Sequence, residues 1–235
     1  MKALNIIFAF ILFTCSQAWS QANVPMVGDV APSFTGESTT GKINFPGDYT
    51  GKWKILFSHP ADFTPVCSSE LLELGALQGD FDKLGVKLVV LSTDDLDKHT
   101  QWVKSIETLK YKNREPVTIS FPLISDQSHE ISRKYGMIHT SANTTKDVRG
   151  VFILDPSNKI RAIFFYPMEV GRNIDEIKRT LVAIQTADSQ NVLTPADWQP
   201  GNDVMLKATK NDPATGKPSD PDVYQLVWYM SFKRL

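Results

Sequence analysis

Residues 59–70 read His-Pro-Ala-Asp-Phe-Thr-Pro-Val-Cys-Ser-Ser-Glu. Before them, Lys54–Ser58 (KILFS) has the composition of a buried strand. After them, Leu71, Leu74, Leu77 and Phe81 recur at helical spacing, and Gly85 can end that helix. The stretch is therefore a strand-to-helix loop. Thr64 stands at the N-cap position and Pro65 at the first helical position, where its missing N–H costs nothing. Cys67 falls in the first turn, where unpaired N–H groups and the positive end of the helix dipole favour a thiolate over a thiol. Glu70, three residues on, shares its side of the helix.

Strands and helices alternate outward from this loop. Lys87–Ser92 is a β-rich apolar run, followed by a helix carrying Leu96, Trp102, Val103, Ile106 and Leu109. Phe121–Ser125 reads as a short strand and Gln127–Tyr135 as a helix. Gly150–Leu154 and Ile160–Tyr166 are two strands joined by the turn Asp155-Pro156-Ser157-Asn158. Asn173 and Glu176 form a capping pair ahead of Ile174, Ile177, Leu181 and Ile184. This order predicts an α/β fold with helices on a central sheet, and the closing strand pair makes that sheet mixed.

The chain has 235 residues, 42% hydrophobic and 22% charged, with a net charge of −1. That balance gives no broad electrostatic basis for nucleic-acid binding. Met1-Lys2 and the apolar run Leu4–Phe13 lead to Ser-Gln-Ala twice, at 16–18 and 20–22, so residues 1–22 read as a signal peptide cleaved after Ala22. The run is too short to span a bilayer, which takes roughly 20 residues. Lipidation at Cys15 is the weaker alternative. The chain is thus expected to be exported, to a periplasm, a secretory compartment or the medium. Of two cysteines, cleavage would leave only Cys67. Residues 23–191 form the expected main domain. Residues 192–235, a Pro-, Asp-, Lys- and Gly-rich stretch ending in the apolar Tyr224–Phe232, form an appended lobe. Asn143-Thr144-Thr145 matches a glycosylation sequon of little specificity. His99, His129 and His139 show no metal-ligand spacing, so no metal is expected, and no phosphate loop or cofactor motif is present.

Pro60, Thr64 and Cys67 match the Pro-x-x-x-Thr-x-x-Cys signature of peroxiredoxins, and the run resembles the one-cysteine, peroxiredoxin-6-like subgroup. Arg149 in Val148–Phe152, Gly171-Arg172-Asn173 and Thr194–Trp198 continue the resemblance across the mature chain. It implies a thioredoxin-like fold and a thiol-dependent peroxidase acting on hydrogen peroxide and organic hydroperoxides. In that reading Cys67 is the peroxidatic nucleophile, Thr64 hydrogen-bonds at the thiolate and peroxide, Pro60 shields the pocket, and Arg149 stabilises the thiolate and the departing oxygen. Glu70 orients the arginine, Arg172 belongs to the same network, and His59 is an active-site neighbour. The resemblance also implies a homodimer in which the C-terminal lobe meets the partner.

No resolving cysteine follows Cys67, so an external reductant is expected; glutathione, a thioredoxin-like protein and a small thiol are all open. Lys52 occupies the position of the phospholipase serine of mammalian relatives, and that second activity is not expected. The competing readings are a thiol–disulfide oxidoreductase, which lacks its usual Cys-x-x-Cys here, and a non-enzymatic redox-signalling or binding protein on the same fold.

Overall fold

A computed structural model describes residues 24–139, 141, 145–207 and 220–235. The expected signal peptide and the sequon at Asn143 lie outside these residues. The elements in chain order are β1 (Phe34–Ser38), β2 (Gly41–Phe45), β3 (Trp53–Ser58), α1 (Pro65–Lys83), β4 (Val86–Ser92), α2 (Leu96–Ile106), β5 (Leu123–Ser125), α3 (Glu130–Lys134), β6 (Arg149–Leu154), β7 (Ile160–Tyr166), α4 (Ile174–Gln190), β8 (Val204–Met205), β9 (Val223–Val227) and β10 (Met230–Lys233).

The main sheet has the order β2-β1-β5-β4-β3-β6-β7. β3, β4 and β5 run parallel, and the flanking pairs are antiparallel. The mixed sheet follows from the connections. The parallel strands need crossover helices, whereas β6 and β7 are joined by the tight turn at 155–158. β3 is apolar almost throughout because both its faces are covered. Ile55 and Phe57 pack with Leu71, Leu74 and Phe81 of α1, Trp102 of α2, and Ile177 and Leu181 of α4. Leu56 points to the other face, with Val89, Ile124, Ile131, Tyr135 and Phe152.

Several boundaries differ from the sequence reading. The β1–β2 hairpin carries no run of alternating apolar residues, and the sequence reading assigns no strands there. It forms because Phe34 and Phe45 bury together, their rings 5.1 Å apart. Helix α2 ends at Ile106, which leaves Leu109 exposed in the following loop. β5 begins two residues later than expected and ends at Ser125 as read, and α3 is shorter than expected at both ends. Thr64 sits at the N-cap of α1 without a side-chain capping bond, since its hydroxyl donates to the Ala61 carbonyl at 2.8 Å. At α4 the Asn173 side chain accepts from Glu176 N–H at 3.1 Å. The Glu176 carboxylate is taken by Arg179 rather than closing a reciprocal box.

Beyond α4, Trp198 buries against Ala183, Val192 and Val204. β8, β10 and β9 form a second, three-stranded sheet. Trp228 and Tyr229 stand exposed between β9 and β10. Among the described residues no helix is long and apolar enough to cross a membrane.

Asp147, two residues before Arg149, is fully buried, and neither of its carboxyl oxygens has a hydrogen-bond partner among the described residues. The neighbouring Ser132 hydroxyl is committed to Asp126 at 2.6 Å. Burial outweighs the lowering effect of the nearby Ser132 hydroxyl and, with the charge of Asp126, pushes the Asp147 carboxyl up to about 8. The unfolded chain would ionise it near the ordinary value of about 4. Between these values the folded state holds the extra proton, so stability falls as pH rises from about 4 to 8 and levels off above. Asp147→Asn is expected to raise Tm by about 3 °C or more at pH 8 and to lose that advantage toward pH 4, as read by calorimetry at both values.

Candidate active site

The site lies where β3 hands the chain to α1. His59 and Pro60 are buried, Phe63 is exposed with φ of 57°, and the helix begins at Pro65. This path turns Cys67 inward, where it is a free thiol with 1% of its surface exposed. Arg149, the first residue of β6, reaches it from across the sheet, with Nη1 donating to Cys67 Sγ at 3.2 Å. The same Nη1 donates to Glu70 Oε2 at 2.8 Å, while Nε and Nη2 both donate to the Met168 carbonyl, at 3.0 and 2.6 Å. Four bonds leave the guanidinium little freedom.

Arg172 braces the other side of Glu70. Its backbone N–H and Nε donate to Oε1 at 2.8 and 2.9 Å, and Nη2 donates to Oε2 at 2.7 Å. Nη1 donates to the carbonyls of Ser58 and Gly150, both at 2.8 Å. Burial by itself would push the Glu70 carboxyl up. The charge and hydrogen bonds of Arg172, and then Arg149, outweigh it and hold the carboxyl below the usual range. One carboxylate between two guanidinium groups leaves an excess positive charge, and Cys67 Sγ is the atom it meets.

A second network holds the loop. Asp62 Oδ1 lies 2.7 Å from His59 Nε2, and Oδ2 lies 2.6 Å from His99 Nδ1. Burial opposes the Asp62 charge, but the two imidazole hydrogen bonds prevail and hold its carboxyl at about 2. An ionised carboxylate can only accept, so His59 Nε2 carries the proton. Burial pushes the His59 ring down despite Asp62, which makes it neutral and leaves Nδ1 a bare acceptor with no partner among the described residues. The Asp62 N–H donates to Asp94 Oδ2 at 2.7 Å, tying the loop to the end of β4.

All seven residues read from the sequence lie at this junction, and the contacts join Cys67, Glu70, Arg149 and Arg172 directly. His59 belongs to the separate Asp62 network. Thr64 spends its hydroxyl proton on the loop rather than the helix. The sequence reading did not single out Asp62 or Ser58 and treated His99 as an isolated residue. His59, Asp62 and His99 have ligand atoms within 4.8 Å of one another, a donor set a metal could use, but here two short hydrogen bonds join them. Asp62 is three residues from His59, a local signal. His99 arrives from α2, and no spacing marks it.

Residues 27–163 match the AhpC/TSA family, and residues 183–214 match the C-terminal domain of 1-Cys peroxiredoxin. A curated peroxiredoxin of Methanosarcina mazei is 45% identical over 216 residues, covering 90% of this chain and 98% of the relative. This chain is a peroxiredoxin. The solved yeast mitochondrial 1-Cys peroxiredoxin superposes with a TM-score of 0.77 at 36% identity, covering 89% of this chain and 99% of that one. The peroxiredoxin 6 of Arenicola marina gives 0.75 at 34% identity, covering 89% and 97%. The protein is accordingly a thiol-dependent peroxidase of the one-cysteine type with a thioredoxin-like fold.

For this peroxiredoxin, Glu70→Gln is expected to leave two buried arginines without their counter-charge and to cost about 3 kcal/mol, measured by urea unfolding at pH 7. Because Glu70 ionises below its ordinary value when folded, the wild-type advantage is present at neutral pH and is lost as pH falls through that lowered value. Equal midpoints for the two proteins at pH 7 would refute the assignment.

Proposed function

We propose that Cys67 is the peroxidatic nucleophile and Arg149 its electrostatic partner. The observation that carries this is the 3.2 Å contact between Arg149 Nη1 and Cys67 Sγ, made by a guanidinium that Glu70 and Met168 hold in place. The Cys67 thiolate attacks one oxygen of a hydroperoxide, hydrogen peroxide or an organic ROOH. The S–O bond forms as the O–O bond breaks, and the alkoxide or hydroxide leaves and takes a proton, giving Cys67 sulfenic acid. Arg149 offsets the negative charge that moves from sulfur to the departing oxygen. The Thr64 oxygen, its proton directed to Ala61, is free to accept from the peroxide O–H. Pro60 and His59 limit water at the sulfur, and Glu70 with Arg172 hold Arg149.

An external thiol then attacks the sulfenic sulfur, releasing water and forming a mixed disulfide, and a second thiol restores Cys67. The similarity to the yeast enzyme, whose structure concerns glutathione and thioredoxin systems, supports glutathione or a thioredoxin-like protein as the reductant. Peroxide consumption with a thiol donor checks the assignment. Cys67→Ser should be inactive, and Arg149→Ala should lose about a hundredfold or more in kcat/KM. Wild-type rates in either variant would overturn it.

The same reading takes the C-terminal lobe as a homodimer surface. Leu226, Trp228 and Tyr229 are each more than half exposed at the β9–β10 hairpin, which is apolar area that a partner would cover. Light scattering at micromolar concentration should give twice the chain mass, and Trp228→Glu should give the monomer. Residues 1–22 are proposed to direct export, and N-terminal sequencing of protein recovered outside the cytoplasm should begin at Asn23.

A further inference from the structure

The β3–β6 ladder pairs residues from Lys54↔Leu154 to Phe57↔Val151 and stops there. One residue further on, the Ser58 side chain replaces the ladder. Its hydroxyl donates to the Val148 carbonyl at 2.7 Å and accepts from the Gly150 N–H at 2.9 Å, and these are the two backbone groups that flank Arg149. The Gly150 N–H also reaches the Val148 carbonyl at 3.0 Å, a γ-turn centred on Arg149. Ser58 is fully buried, and a Cβ on Gly150 would sit 2.9 Å from its Oγ, so this approach needs glycine opposite. The Ser58 carbonyl is held in turn by Arg172, which also binds the Gly150 carbonyl.

The Arg149 side chain is thus fixed at both ends, its tip by Glu70 and Met168 and its root by Ser58. The guanidinium sits at the end of a long lever, where a small rotation of the backbone shifts Nη1 appreciably relative to sulfur. A misplacement of about 1 Å can cost on the order of a hundredfold in rate. We propose that Ser58 is a positioning residue of the peroxide reaction, its hydroxyl clamping the Val148–Gly150 backbone so that Arg149 stays on Cys67. This rests on the role given to Arg149 above. A hydroxyl that merely ended a strand would stabilise the fold without acting through that one side chain.

A double-mutant cycle separates the two. The second-order rate constant for hydrogen peroxide is measured by stopped flow on pre-reduced wild type, Ser58→Ala, Arg149→Ala and the double variant, normalised to the native thiol titre. Ser58→Ala should lower it about tenfold, close to 1.4 kcal/mol. In the Arg149→Ala background the same change should cost nothing further, because its effect runs through the arginine. An unchanged rate in Ser58→Ala would overturn the proposal. So would an equal loss in both backgrounds, or a protein that fails to fold without the hydroxyl. If Arg149→Ala itself left the rate unchanged, the role of Arg149 would fail instead.

Discussion

The Glu70 carboxylate, buried between Arg149 and Arg172, is the interaction on which the rest of the site depends. It joins three elements distant in sequence: helix α1, the start of β6, and the turn into α4. A lone carboxylate or guanidinium at this depth would be strongly unfavourable, and each partner is tolerable only because the others are present. The charges do not cancel within the triad. Arg149 Nη1, which bonds Glu70, also donates to the sulfur of Cys67. The same interaction therefore ties α1, β6 and the approach to α4 together around the thiol.

The loop between β3 and α1 needs a separate restraint, since it makes no regular backbone ladder. Asp62 supplies it, binding His59 and His99 through its carboxylate and Asp94 through its N–H. The arrangement leaves the His59 ring neutral with one bare nitrogen. Pro60 lies between His59 and Asp62, and Thr64 two residues beyond. The loop wall and the guanidinium are thus held by two separate hydrogen-bond networks, and the guanidinium's network reaches Cys67.

Much of this is legible in the chain. The strand at 53–58, the helix behind Thr64-Pro65 and the β6–β7 pair follow from apolar periodicity and turn chemistry, which act over a few residues. The β1–β2 hairpin was not legible. Its strands are held by Phe34 stacking on Phe45 and by pairing with β5, contacts that periodicity does not record. Helix α2 ends before its apolar pattern does, because Leu109 finds no core to enter. The Thr64 hydroxyl was read as a cap, yet the bend at Phe63 brings the Ala61 carbonyl closer and it bonds there.

For the site, the residues at 59–70 and the arginines at 149 and 172 were readable as types in a pattern. That pattern resembles the peroxiredoxin signature around Cys67, and the sequence shows no second cysteine beyond it. Capping, proline and periodicity operate between near neighbours, so the chemical groups and the local elements that carry them can be read along the chain. Packing in three dimensions is what gives one carboxylate to both arginines, joins His99 to Asp62, and sets Ser58 against the backbone on both sides of Arg149. Those contacts span 37 to 102 residues. They exist because strand order and helix packing place the ends of β3, β4 and β6 side by side, a geometry that no spacing along the chain encodes.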